Sequence, residues 1–217
     1  MKARRNKISR SEFRKLCEEE VASRFGSLGF KEYDAGAFGR ERSGFIQGFG
    51  LSPDSSLRQF CVPVGVLVPA LWKKDDYILG AHAPSFEISH RLGEFRNNCT
   101  GIDIWYHFNT ERELRSCFDQ IYDDFTAQAL PWLERFQTLN DVVEEYYRYR
   151  LGPLESGEVR PPNPFVSASY AWMLELIGRP HQAREWIVRA REELAQRQSD
   201  GLFSAEEQRL SQMLSAS

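Results

Sequence analysis

Phe60-Cys61-Val62-Pro63-Val64-Gly65-Val66-Leu67-Val68 decides the fold class. Its β-branched residues recur at every second position, the spacing that puts alternate side chains on opposite faces of a strand. Phe60, Val62, Val64, Val66 and Val68 share one face, and Cys61, Pro63, Gly65 and Leu67 share the other. Pro63 cannot donate to a ladder, so the spacing predicts a sheet edge or a bulge there. Upstream, Phe45, Phe49 and Leu51 keep one parity, and glycines 36, 39 and 44 punctuate short extended runs. Downstream, Phe86, Ile88, His90 and Leu92 alternate with Glu87, Ser89 and Arg91. Ile102, Ile104, Tyr106 and Phe108 then alternate with Asp103, Trp105 and His107. Together these runs predict an antiparallel sheet of four to six strands with one face covered.

Helical periodicity flanks the sheet. Phe13, Leu16, Cys17, Val21, Phe25 and Leu28 form one stripe over residues 11–28, with Ser11 as the expected N-cap and Gly29 as the stop. Thr110 with Glu113 fits a capping box ahead of Leu114, Phe118, Ile121 and Phe125. Pro131 is expected to break or kink that helix, with Trp132, Leu133, Phe136, Leu139, Val142, Val143 and Tyr146 continuing as the next. Residues 70–84 read as a long loop with a short turn around Trp72 to Tyr77. The fold class is therefore α+β, with helices on one face of the sheet and a helical hairpin at the C-terminal end. The division expected is an α+β domain at 8–150, a proline-rich linker at 151–164 and a helical appendage at 165–215.

The stretches LGFKEYDAGAFGRE (28–41), the valine strand with Gly65-Val66, Arg91-Leu92-Gly93, Trp105-Tyr106 and ALPWL (129–133) occur in the order helix, glycine-punctuated strands, helix. In this the chain resembles the bacterial domain-of-unknown-function family 4304 over about residues 10–150. The resemblance implies an α+β fold and brings no established activity or catalytic residues. The segment from Trp172 to Glu192 is similar to a single tetratricopeptide-type hairpin, with Gly178-Arg179-Pro180 as its turn. One such unit cannot bury its own face, so it is expected to pack on other helices.

Composition bounds the function. The chain has 217 residues, 28 Lys and Arg against 31 Asp and Glu, and a net charge of −3. No apolar run approaches the roughly 20 residues that span a bilayer, so no membrane association is expected. Residues 1–16 hold seven basic side chains against Glu12. That arm reads first as the solvated start of a helix, and nucleic-acid binding through it is the third reading. No export signal follows it, which makes the cytoplasm the expected location.

Chemistry-bearing motifs are absent. Cys17, Cys61, Cys99 and Cys117 are separated by 44, 38 and 18 positions, so no CxxC pair exists. His82, His90, His107 and His181 are scattered, and Glu87-x-x-His90 lies in a strand, where the two residues face opposite ways. No metal site, no cofactor and no catalytic residues are expected, and the glycines fit hairpin turns better than a phosphate loop. Two surfaces stand out. Asp103, Trp105 and His107 share one sheet face and could hold a small ligand. Tyr146, Tyr147, Arg148 and Tyr149 exceed what one buried helix face can take, and Tyr and Arg are enriched where proteins bind each other. The function expected is that of a non-catalytic binding protein with a protein partner, in its narrower form a toxin-neutralising immunity protein acting through acidic surface. The alternative is a small-molecule-binding domain or enzyme using the open sheet face.

Overall fold

A computed structural model describes residues 8–34, 36–71, 86–95, 104–154, 156–201 and 203–215. The chain forms two compact units, Met1–Leu67 with Phe86–Gln137, and Val68–Ser85 with Thr138–Ser217. The division falls at Gln137 and Thr138, and the proline-rich stretch 151–164 lies inside the second unit.

The first unit opens with helix α1, Arg10–Phe25. Its cap is Ser9 rather than Ser11: the Ser9 side chain accepts from the Glu12 amide, and the Glu12 carboxylate accepts from the Ser9 amide at 2.8 Å. The helix tightens into a 3-10 turn at Gly26–Leu28 and ends at Gly29, whose φ of 84° only glycine adopts without strain. Five strands follow in the larger sheet: β1 (Lys31–Asp34), β2 (Ala37–Arg42), β3 (Phe45–Gly50), β6 (Pro63–Leu67) and β7 (Ile88–Arg91). They are ordered β1-β2-β3-β6-β7 and every pair is antiparallel. The β2–β3 turn is Ser43-Gly44, both with positive φ, the geometry that matches the twist of a two-residue hairpin.

A smaller sheet, β4-β5-β8, is built from Ser52–Pro53, Gln59–Cys61 and Tyr106–His107. The single valine strand expected from the alternation is thus two strands. The chain leaves the small sheet at Cys61, passes Val62 and enters the large sheet at Pro63. Pro63 is not at an edge, since β6 lies between β3 and β7; it is the first residue of its strand, where a missing N–H is tolerated. Both parities are buried, Cys61 and Leu67 as well as the valines.

Phenylalanine rings weld α1 and the next long helix to one face of the large sheet. Phe49 from β3 meets Phe25 at 4.9 Å and Phe125 at 5.1 Å between centroids, and Phe38 stacks on Phe49. Helix α2 (Glu111–Asp124) is capped by the Thr110 side chain. It does not break at Pro131. A π turn, Phe125–Ala129, leads without interruption into α3, Leu130–Leu133, with the Leu130 amide donating to the Phe125 carbonyl. The wider turn places Pro131 in the first turn of α3, where its lack of a donor costs little. Trp132 and Leu133 therefore belong to this helical run, and Thr138 with Asp141 caps the next.

The second unit contains α4 (Leu139–Tyr146), a second π turn (Tyr147–Leu151), α5 (Pro164–Leu176), α6 (Pro180–Ser199) and α7 (Ala205–Ser215). The α5–α6 hairpin packs through small buried residues, Ala168, Ala171, Ala183 and Ala190. The buried Glu193 carboxylate is satisfied by the Ser167 hydroxyl at 2.8 Å and by Arg189 at 2.9 Å. Among the described residues, no helix is long and apolar enough to cross a membrane.

Candidate functional site

The most distinctive surface is aromatic and lies on the helical unit. A π turn, Tyr147–Leu151, continues α4, and the residues of the Tyr146–Tyr149 run face different ways along it. Tyr146 turns inward, buried to 3%, with its hydroxyl 3.5 Å from the Val166 carbonyl; it is structural and does not reach solvent. Tyr147 turns outward and is 43% exposed. It meets two further rings, Tyr170 of α5 at 5.5 Å and Trp186 of α6 at 6.1 Å. Tyr170 and Trp186 stand nearly perpendicular, at 85° and 5.0 Å. Arg189 lies over the Trp186 ring, 4.6 Å from its centre, held by Glu193.

Three side chains from three helices thus share one half-exposed cluster, and each keeps a polar handle. No hydrogen bond from Tyr147 Oη, Tyr170 Oη or Trp186 Nε1 to another described residue exists, although buried Tyr and Trp ordinarily find partners. Burial raises the Tyr170 hydroxyl above its ordinary range, with the neighbouring Tyr147 adding to the effect. Arg148 is exposed and paired with Glu145, and Tyr149 is half-buried. Glu144 and Arg179 bias Tyr170 with opposite signs, and both bond to Asn140, which ties them to α4.

The other sequence candidate is divided. Asp103 lies outside the described residues. Trp105, 39% exposed, and His107, also exposed, flank the buried Tyr106 on the edge of the small sheet. The His107 carbonyl accepts from the Cys117 thiol at 3.4 Å. His90 sits at the rim of the large sheet, in its edge strand β7. Its Nδ1 is 2.9 Å from Glu94 and its ring lies edge-on to Phe95 and Trp132. Cys17 and Cys117 are buried, and burial raises both thiols, that of Cys117 to about 11. Cys61 is buried beside Arg91, at 2.6 Å. His82 and Cys99 lie outside the described residues. Among the described residues no three His, Cys, Asp or Glu side chains gather in a way that could hold a metal.

Acidic side chains of the first unit are largely consumed internally. Glu20 is buried between Arg24 and Arg115, Arg115 also binds Glu19 and Glu111, and Glu134 takes Arg40 and Arg42. Arg14 and Lys15 of the basic arm pair with Glu18, Glu32 and Glu19; residues 1–7 lie outside the described residues.

A family model described as "Domain of unknown function (DUF4304)" matches residues 21–135. No curated protein and no solved structure matches the chain. The matched stretch ends ahead of α4, so Tyr147, Tyr170 and Trp186 all lie beyond it.

Proposed function

From the premise that the chain belongs to the DUF4304 family, described only as a domain of unknown function, we propose a non-catalytic binding protein that docks a protein partner on its helical unit. The observation that carries this is the Tyr147–Tyr170–Trp186 cluster, half-exposed, whose three donors have no hydrogen-bond partner among the described residues. Aromatic residues with a polar tip dominate the energetic centres of protein interfaces, because one ring buries much area while its donor fixes orientation. The π turn that begins at Tyr147 adds support, since such turns are frequent at functional sites.

Charge supports a toxin-neutralising role less well. Masking a cationic site needs carboxylates free to face it, whereas Glu19, Glu20, Glu111 and Glu134 are already paired within the first unit. The docking role is therefore proposed without assigning a toxin as partner. It is tested by placing the photo-crosslinking residue benzoyl-phenylalanine at position 147 or 186 in the native host, with position 181 on the exposed side of α6 as control. The result expected is a discrete protein adduct at 147 and 186 and none at 181. Equal labelling at all three positions, or none at any, refutes the reading.

A further inference from the structure

We infer that the occupant of the aromatic surface is a second copy of this chain, which inserts its own Glu158–Pro162 segment. The inference rests on the docking reading above and names the partner. In that segment, Val159 is 85% exposed, the most exposed of the large apolar side chains described, and Pro161 and Pro162 are exposed beside it. It is also held in place before any partner arrives. Gly157, at φ 82°, closes a turn in which its amide donates to Leu154 O at 2.8 Å and the Leu154 amide donates to Glu158 O at 2.9 Å. Arg160 donates from Nε to Gly152 O at 3.0 Å, and the two prolines fix their own φ. A segment already ordered loses little entropy on docking.

The two surfaces match in chemistry. Proline rings and a valine pack on Tyr and Trp faces, and prolines leave carbonyls that no neighbouring amide satisfies. The donors free to meet those carbonyls are Tyr147 Oη, Tyr170 Oη and Trp186 Nε1. Segment and rings adjoin on one unit, because the Gly152 amide donates to Tyr147 O at 2.7 Å while its carbonyl takes Arg160. A two-fold axis would let each copy offer its segment to the other's rings, giving two equal contacts in a closed dimer.

The full-length chain is examined by sedimentation equilibrium and light scattering. The wild type is expected at twice the chain mass at about 100 µM, and Tyr147→Ala with Trp186→Ala is expected to raise the dissociation constant at least about tenfold. Val159→Ser with Pro161→Ser should do the same without touching the rings. Mixing the two variants should recover hetero-dimers through the one contact both halves still supply. Far-ultraviolet circular dichroism and melting confirm that each variant folds. A wild type that stays at one chain mass, or a dimer indifferent to both variant pairs, overturns the inference. The crosslinking experiment separates the two claims: an adduct of twice the chain mass supports both. An adduct with a different protein keeps the docking role and overturns self-association, and no adduct overturns both.

Discussion

Gln47 offers the sharpest test of how the family domain is held together. It lies fully buried in the central strand β3, and its amide group spends both donors on the end of α3: Nε2 to Leu133 O at 2.6 Å and to Phe136 O at 3.0 Å. Its Oε1 accepts from Arg40 Nε at 2.9 Å. Leu133 O is at the last residue of α3, where no further amide of the helix arrives to satisfy it, and Phe136 O lies in the turn just beyond. Gln47→Leu keeps the volume and removes all three bonds. Leu133 O keeps the Phe136 amide, so its loss is small; Phe136 O and the Arg40 Nε–H lose the partner itself. A buried polar atom left unpaired costs about 1–3 kcal/mol, so the two orphaned atoms together cost about 2–6 kcal/mol. For a chain of this size that corresponds to a melting point lower by roughly 10 °C. Urea unfolding, with hydrogen exchange on the β3 amides as the local readout, measures it. Gln47→Glu should be worse than Gln47→Leu at neutral pH, because it sets a carboxylate against two carbonyl oxygens. A Gln47→Leu variant within about 1 kcal/mol of the wild type would refute the claim that this side chain closes the helix end.

Gly65→Ala should destabilise the large sheet by about 1–3 kcal/mol, since a Cβ there would clash with Ile88 O and lie 2.6 Å from Phe86; chemical denaturation checks it. Cys117, its thiol raised to about 11, should alkylate with iodoacetamide at pH 8 roughly a hundredfold more slowly than a free thiol, because only about one side chain in a thousand is thiolate there. The same shift sets a sign: the folded state holds this proton more tightly, so its contribution is complete below the ordinary thiol range and is lost as pH rises through about 11. Glu134 behaves oppositely. The hydrogen bond from Arg40 holds its carboxyl below the usual range, so its contribution is present above that range and lost in acid, and Glu134→Gln should flatten the acid limb of a stability–pH curve.

Much of the fold was legible because period reports burial directly. Residues 11–28 and 110–125 read as helices, residues 45–51 and 60–68 as strands, and the α+β class followed. The misses share a cause: they depend on partners distant in sequence. Alternation over 60–68 cannot show where a strand changes sheets when both of its faces are covered, as Cys61 and Leu67 are. Pro131 signals a break, and nothing local announces the π turn that absorbs it. The α1 cap is different, because the signal was there: Ser9 and Glu12 have capping-box spacing, and Ser11 does not. At the surface, Tyr147 was legible as an aromatic in excess of one buried face. Tyr170 and Trp186 were not, since each sits at a helical spacing that equally describes a core stripe, and only the packing of α4, α5 and α6 brings the three rings together.

The two units dispose of their polar groups in different ways, and that difference locates the free energy available for binding. In the matched domain, Glu20, Glu134 and Gln47 each lock one element to another, through Arg115, Arg40 and the α3 carbonyls respectively. Groups engaged in this way offer a partner nothing without first breaking a bond the fold needs. The helical unit treats its buried acids alike: Glu193 is held by Ser167 and Arg189, and Glu207 by Arg197 and the Ser204 amide. It departs from the pattern where Tyr147, Tyr170 and Trp186 meet. There the rings are already fixed by one another, so little side-chain entropy remains to be lost, and their donors have no partner among the described residues. A partner that supplies carbonyls and apolar area gives those donors acceptors and disturbs no internal bond. Substitutions at these three positions should therefore weaken association far more than folding, whereas substitutions at Gln47 or Glu20 should do the reverse.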